Sequence, residues 1–148
     1  MKIKVQVPVN ASPANIWKVI TDIENSANTI SAIEKIDVLE TREEGLLGFK
    51  WRETRKMFGK EATEIMWITE LVENEYYQTR AESHGSVYIS RVFIEQQGNQ
   101  TYLGMQFVGK AQTFGAKLMS FIFSPLIKGA SKKALLKDLE EIKAVVEN

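Results

Sequence analysis

Alternation of apolar and polar residues with a period of two runs through most of the chain before residue 112. In residues 2–8, Ile3, Val5 and Val7 alternate with polar side chains, which is typical of a half-buried strand. Six further segments end at short turns, most of them rich in Gly or Asn, as consecutive hairpins do; they span residues 33–43, 47–58, 61–72, 76–83, 86–96 and 101–112. The pattern predicts a seven-stranded antiparallel meander, and strands this long must twist and curl.

Helical periodicity occupies two other parts of the chain. After the first strand, Ser12 is a favourable N-cap and Pro13 suits the first helical position, and apolar residues then recur at helical spacing as far as Ile23. A second short helix is predicted at about residues 24–29. After the last strand, residues from about 113 to 148 predict one long helix.

The long C-terminal helix carries two apolar faces that do not line up. In its second half the apolar side chains form one narrow stripe: Leu135, Leu139, Ile142 and Val146. In its first half Leu118, Ile122 and Leu126 lie roughly a quarter-turn or more away from that stripe. Because Pro125 cannot donate to the preceding turn and Gly129 is a poor helix former, the sequence predicts a kink or break there.

The order of these elements predicts the fold class. A single helix of ~30 residues, ~45 Å long, must cover the concave apolar face of a wide curved sheet. One helix fills such a trough poorly, so a residual cavity is expected, and such a cavity is the default place for a ligand site. We expect one α+β domain over residues 1–148, with a seven-stranded curved antiparallel sheet wrapped around the C-terminal helix and two short helices after the first strand.

Four stretches of sequence carry a family resemblance. They are VNASPANIWKVITD at residues 9–22, IEKI at 33–36, GKE at 59–61 and LLKDLE at 135–140. Over the whole chain the sequence resembles the START-like helix-grip superfamily, in particular its SRPBCC group of polyketide cyclase/dehydrase and lipid-transport proteins. It departs from the pattern at Asn28-Thr29-Ile30, where relatives often carry a tryptophan. The resemblance implies the helix-grip fold and leaves the activity open, because fold alone does not fix function.

Composition narrows the classes of function. Lys+Arg and Asp+Glu both number 19, so the chain lacks the basic excess of nucleic-acid binders. It has no Cys and one His, His84, which leaves no ligand set for a metal site; we predict no metal, no other cofactor and no catalytic residue. With no signal-peptide pattern and no apolar run of ~20 residues, a cytoplasmic protein is expected. His84 is interpreted as a strand-end residue, the alternative being a general base at the cavity mouth.

The segment from Phe49 to Met57 holds the most informative charges. Its even positions are polar, so Glu53 and Arg55 share the other, apolar face with Trp51. Two opposite charges that face a cavity must pair with each other or with a ligand, because burial of either alone is costly. The alternative is a bulge or an early exit of the strand from the core, which would leave the pair exposed.

Parity along the other strands extends the predicted cavity lining. Tyr77, Thr79 and Ala81 point inward, and Leu103, Met105 and Phe107 share one face. In strand 86–96 parity does not choose between the face of Tyr88 and the face of Val87. The predicted ligand-binding residues are Phe49, Trp51, Glu53, Arg55, Tyr77, Thr79, Tyr88, Met105, Phe107, Ile122 and Pro125. Ordinary core packing is the alternative for each aromatic residue.

Three classes of function are compatible with these features. The one we favour is non-enzymatic binding or transport of a small hydrophobic molecule, such as a lipid, an isoprenoid or an aromatic or polyketide-like compound, by a monomer or homodimer. The second is a cyclase or dehydratase, with Glu53 as acid/base and Arg55 or a tyrosine steadying an enolate. The third is a protein-interaction adaptor whose cavity has collapsed.

The first half of the C-terminal helix suggests a route for the ligand. Residues 114–127 are apolar on nearly all sides, and a basic cluster follows: Lys128, Lys132, Lys133 and Lys137. Apolar aromatic residues next to lysines suit transient contact with an anionic membrane or a partner. The alternative is that these residues are buried in a dimer or against the helices near Trp17.

Overall fold

The computed structural model describes residues 2–41, 45–57, 59–83, 85–111 and 114–148, and for residues 57, 111 and 114–127 it describes the backbone alone. The strands are β1 (Lys2–Val9), β2 (Ile33–Glu40), β3 (Lys50–Met57), β4 (Lys60–Val72), β5 (Tyr76–Ser83), β6 (Ser86–Gln97) and β7 (Gln100–Ala111). The helices are α1 (Pro13–Ile20), a 3-10 turn (Ile23–Asn25) running into α2 (Ser26–Thr29), and α3 (Phe114–Glu147).

The described strands form one antiparallel sheet in the order β1-β7-β6-β5-β4-β3-β2. Strands β2 to β7 are a meander, and β1 joins its far end by pairing with β7. The predicted fold class is therefore confirmed, including the two short helices between β1 and β2. We call concave the face of the sheet that carries the buried Trp51, Tyr77 and Leu103, and convex the opposite face, which carries Gln78 and Arg91.

The loop between β2 and β3 corrects one predicted boundary. The sequence predicts a strand from residue 47, but β3 begins at Lys50. Gly45 and Gly48 have φ angles of 73° and 83°, a left-handed conformation that suits glycine and interrupts an extended strand. The Gly48 amide instead donates to the Ile68 carbonyl at 2.8 Å, and Leu47 is exposed. Phe49 is buried all the same, just ahead of the strand.

Helix α3 packs on the concave face through the predicted stripe. Leu139 and Ile142 are buried, and Leu135 and Val146 pack against the same core. The backbone is helical throughout from Phe114 to Glu147, so the chain does not break between Pro125 and Gly129. The side chains of the apolar first half, residues 114–127, lie outside the described residues.

Three hydrogen-bonded anchors hold the second half of α3. Glu141 accepts from the Ser31 amide at 3.2 Å and from its hydroxyl at 3.0 Å. Glu147 accepts from the Asn10 amide at 2.7 Å, and Lys143 donates to the Pro8 carbonyl. The short helices lie between Asn10 and Ser31, so these bonds join α3 to both ends of that segment. They thereby fix the position of α3 against β1.

Candidate functional site

Strand β3 places Glu53 and Arg55 on the concave face, as predicted. In the register with β4, Trp51 lies opposite Met66 and Arg55 opposite Ala62. Trp51 is 3% exposed, and the side chains of Glu53 and Arg55 are 14% and 16% exposed. The alternative of an exposed pair is therefore wrong: the alternation continues through Arg55 without turning the charges to solvent.

A hydrogen-bonded chain links these residues to α3. The Trp51 Nε1 group donates to Glu53 Oε1 at 3.3 Å, and Arg55 Nε donates to Glu53 Oε2 at 3.0 Å. Arg55 Nη1 donates to Asp138 Oδ2 at 3.0 Å. We call Glu53, Arg55 and Asp138 the interior charge cluster. It contains two carboxylates and one guanidinium, so its formal charge is negative when all three are ionised.

Burial and proximity shift the ionisation of this cluster. Asp138 has a side chain only 1% exposed, and burial, together with the nearby charges of Glu53 and Glu141, raises its pKa against the lowering effect of Arg55. For Arg55, burial lowers the pKa, but the two carboxylates outweigh that effect and raise it. The cluster therefore keeps a fixed cation and holds one carboxyl, Asp138, that takes up a proton more readily than an exposed aspartate.

Asp138 is the functional candidate that the sequence interpretation missed. It is one position from Leu139 and three from Leu135, so it lies beside the apolar stripe of α3. An acidic residue on a core-facing stripe needs a buried partner. That signal was present in the sequence, but the partner, Arg55, is 83 residues away along the chain.

Aromatic rings surround the cluster. The centroids of Phe49 and Trp51 are 5.7 Å apart, and Tyr77 meets Trp17 of α1 edge to face at 6.3 Å. Tyr77 is buried, and this burial, with a smaller contribution from Glu53, raises the pKa of its hydroxyl well above the usual range. The Tyr77 hydroxyl therefore stays protonated at any physiological pH.

The sheet register places the other predicted lining residues on the same concave face. Tyr88 pairs with Ala81 and Val92 with Met105, which settles the orientation of β6 in favour of Tyr88. Tyr88 stacks on Phe107 with centroids 5.6 Å apart, and Thr79 is buried.

The remaining predictions concern two side chains of α3 and the single histidine. The side chains of Ile122 and Pro125, and the whole of His84, lie outside the described residues. The predicted cavity of at least ~300 Å³ between the sheet and α3 depends on these side chains, so it stays a prediction.

Other kinds of site find no support in the part of the chain that the structure describes. No cluster of three or more His, Cys, Asp or Glu side chains that could bind a metal ion is present among those residues. Over the same residues, no helix is long and apolar enough to cross a membrane.

A seven-stranded antiparallel sheet with a long C-terminal helix against its concave face is the START-like, helix-grip architecture. A family model described as "Polyketide cyclase / dehydrase and lipid transport" matches residues 1–147. The chain belongs to this family. A comparison with curated proteins finds no match.

Solved structures share the fold at low sequence identity. A START superfamily protein from Mycobacterium smegmatis superposes with a TM-score of 0.77 at 19% identity, over 99% of this chain and 97% of that one. A protein from Thermus thermophilus gives 0.80 at 12% identity, over 99% and 97%. The Zhui aromatase/cyclase from a Streptomyces species gives 0.73 at 17%, over 99% and 93%. Identities this low establish the fold alone.

Proposed function

We propose that the protein binds a small hydrophobic molecule between the concave face of the sheet and α3. One end of that molecule would meet the interior charge cluster, and its apolar body would lie along the aromatic side chains of β5, β6 and β7. A lipid, an isoprenoid or an aromatic, polyketide-like compound has the required combination of a large apolar body and few polar groups.

The observation that carries this proposal is the interior charge cluster itself. Its three charged side chains are almost entirely removed from solvent and lie among buried aromatic side chains such as Trp51 and Tyr77. Replacing a buried ion pair with apolar residues of similar volume usually leaves the stability of a protein unchanged or raises it. A few well-placed polar groups in an apolar surrounding are what small-molecule sites use to fix orientation.

The cluster also indicates the polarity of the ligand. Arg55 already donates to two carboxylates, while Glu53 and Asp138 bring more acceptor capacity than these bonds use. A hydroxyl or other donor on the ligand would complement these oxygens. A ligand carboxylate would instead meet two acidic side chains.

An enzymatic role is the second candidate, and Asp138 is the observation that favours it. A buried carboxyl with a raised pKa, held beside a fixed cation, is an arrangement that general acid–base catalysis uses. Asp138, rather than the Glu53 first considered, would then transfer the proton, and Arg55 would stabilise an enolate. A cyclase or dehydratase acting on a polyketide-like substrate fits these roles.

Native mass spectrometry of protein purified from its own host tests the binding proposal. Wild type is expected to carry an additional small-molecule mass that organic solvent releases. Arg55→Met should lower its occupancy by ~10-fold, because Arg55 holds Glu53 and Asp138 in the position where they accept a hydrogen bond from the ligand. Arg52→Met is the matched control, because Arg52 lies on the same strand but on the convex face, and it should retain the ligand.

The opposite outcomes are equally clear. Wild type that carries no additional mass and does not bind the uncharged fluorescent probe phenylnaphthylamine would contradict the binding proposal and favour an adaptor with a filled interior. Turnover of the released compound by fresh protein, lost in Asp138→Asn, would establish the enzymatic role instead.

A further inference from the structure

A row of polar side chains crosses the convex face of the sheet, on the side away from the interior charge cluster. In the strand register, Gln78 of β5 lies opposite Arg91 of β6, Arg91 opposite Gln106 of β7, and Gln106 opposite Lys4 of β1. We call these four residues the convex row. Adjacent strands are ~4.8 Å apart, so the row is ~14 Å long.

Two adjoining depressions lie along the convex row and share Arg91 and Gln106. The first, of about 230 Å³, is lined by Gln78, Arg91 and Gln106 of the row and by the apolar Ile89 and Val108, with no acidic residue. The second, of about 290 Å³, adds Lys4, the rings of Tyr76 and Phe93, and Ile94, Glu75 and Glu95. The polar row thus has an aliphatic side and an aromatic side.

The convex row presents hydrogen-bond donors. Arg91 donates through Nε and Nη2 to Gln78 Oε1, at 3.1 and 2.8 Å. These bonds use the Gln78 acceptor, so the amide group of the same side chain remains as a donor. Arg91 Nη1 and the Gln106 carboxamide make no side-chain hydrogen bond to the described residues. Lys4 has no ion pair with them either.

Aromatic rings hold the two cations in place. The Arg91 guanidinium lies 4.1 Å from the Tyr76 ring centroid, and the Lys4 ammonium 5.3 Å from that of Phe93, both within the range of cation–π attraction. The Phe93 ring in turn covers Gly104, where an added Cβ would lie 2.1 Å from a ring atom. The nearest carboxylate to Arg91 is Glu70 at 3.8 Å, whose oxygen also accepts from the Tyr76 hydroxyl.

We propose that the convex row is a second binding site, for a small organic carboxylate with an apolar body. The carboxylate would lie at Gln106 between Arg91 and Lys4, and the apolar body on Ile89 and Val108. Glu75 and Glu95 also line the second depression, but among the described residues neither forms an ion pair with Arg91 or Lys4, and the one carboxylate paired with Arg91 is Glu70. The proposal does not depend on a ligand in the interior.

Titration of isotope-labelled protein with benzoate, followed by backbone amide NMR shifts, tests the second site. Benzoate should shift the amides of Gln78, Arg91 and Gln106, whereas the uncharged benzyl alcohol should not. Arg91→Gln should weaken benzoate binding ~10-fold, as expected for one charge-assisted hydrogen bond, and Gln106→Leu should weaken it by a smaller factor. Arg80→Gln is the matched control, since Arg80 is on the same face but bound to Glu82 at 2.7 Å.

Three results would overturn the second site. The first is an absence of shifts up to the solubility limit of benzoate in a wild-type protein with a dispersed spectrum. The second is benzoate shifts confined to concave-face residues such as Trp51 and Tyr77. The third is inorganic phosphate binding as tightly as benzoate, which would remove the argument for an apolar body. Gln106→Leu and Lys4→Gln keep the test decisive if Arg91→Gln does not fold.

Discussion

At the scale of single residues, Arg55 is the cation that compensates both carboxylates of the interior charge cluster. It gives one hydrogen bond to Glu53 and one to Asp138, so its removal leaves two nearly buried carboxylates without a cation. Removal of either carboxylate leaves Arg55 with the other. The three positions are therefore unequal, although the sequence presents Glu53 and Arg55 as a simple pair.

Arg55→Ala should lower the free energy of unfolding by ~3–5 kcal/mol, the range for breaking a buried ion pair. Glu53→Ala should cost less, because Asp138 still pairs with Arg55. Urea unfolding measures both, with Arg52→Ala on the convex face as the control. A loss below ~1 kcal/mol for Arg55→Ala would show that the cluster behaves as a surface ion pair.

The raised pKa of Asp138 predicts a pH dependence with a definite sign. A carboxyl whose folded-state pKa lies above its unfolded value of 3.8 holds its proton more tightly in the folded protein. Unfolding then releases protons, so the contribution of Asp138 to stability is greatest at low pH and falls as pH rises from about 4 through the folded pKa. Asn cannot titrate, so the stability of wild type minus that of Asp138→Asn should fall over this range.

Urea unfolding of wild type and Asp138→Asn at several pH values between about 4 and 7 measures this difference. A difference that grows with pH would contradict the prediction, because it would mean that Arg55 lowers the pKa of Asp138 more than burial raises it.

At the scale of elements, the alternating pattern was enough to predict every strand and the face of most of them. Tyr77 and Thr79 point inward as parity predicted, and α3 packs through Leu139 and Ile142. Parity could not orient β6, because Val87 is buried on the convex side while Tyr88 faces the interior. It also could not show which distant side chain meets Asp138, since contacts between a strand and a helix leave no local periodicity.

The packing of β6 on β7 at Gly104 gives a test at this scale. Gly104→Ala would bring a Cβ atom within 2.1 Å of the Phe93 ring, so the ring must move, and the expected loss of stability is ~1–3 kcal/mol. Gly109→Ala on the same strand is the matched control, since its Cβ would meet Tyr88 no closer than 3.3 Å. In a Phe93→Ala background Gly104→Ala should be nearly neutral, and equal costs in both backgrounds, measured by urea unfolding, would refute this contact.

At the scale of the whole molecule, the two faces of the sheet carry side chains of different chemistry. The concave face encloses acidic acceptors among aromatic rings, and the convex face displays donors in a row. The sequence predicted the first side from the charges of β3 in an apolar strand. The sequence alone did not predict the convex row. Its residues come from four different strands and become neighbours only through the strand register: Gln78, Arg91, Gln106 and Lys4.

The prediction of membrane contact rests on the basic cluster in the middle of α3. Lys128, Lys132, Lys133 and Lys137 are all exposed, as a surface that approaches anionic lipid requires. Wild type is expected to co-sediment weakly with vesicles containing phosphatidylserine, less so as salt is added. Phe123→Ser combined with Lys132→Glu should abolish the binding, and vesicles of neutral lipid are the control. A wild type that does not bind and forms a dimer through this segment would refute it.

The anchoring of α3 has a consequence for how a guest molecule is admitted. Among the described residues, Asp138 is the first side chain along the helix that is bonded to another element, and the anchors at Glu141, Lys143 and Glu147 all follow it. Over the described side chains of α3, residues 128–148, the hydrogen bonds to other elements therefore begin at the Arg55–Asp138 contact. If the proposed ligand donates to Asp138, it competes with Arg55 for the carboxylate that makes this first attachment, so binding of the ligand and release of the helix would be coupled.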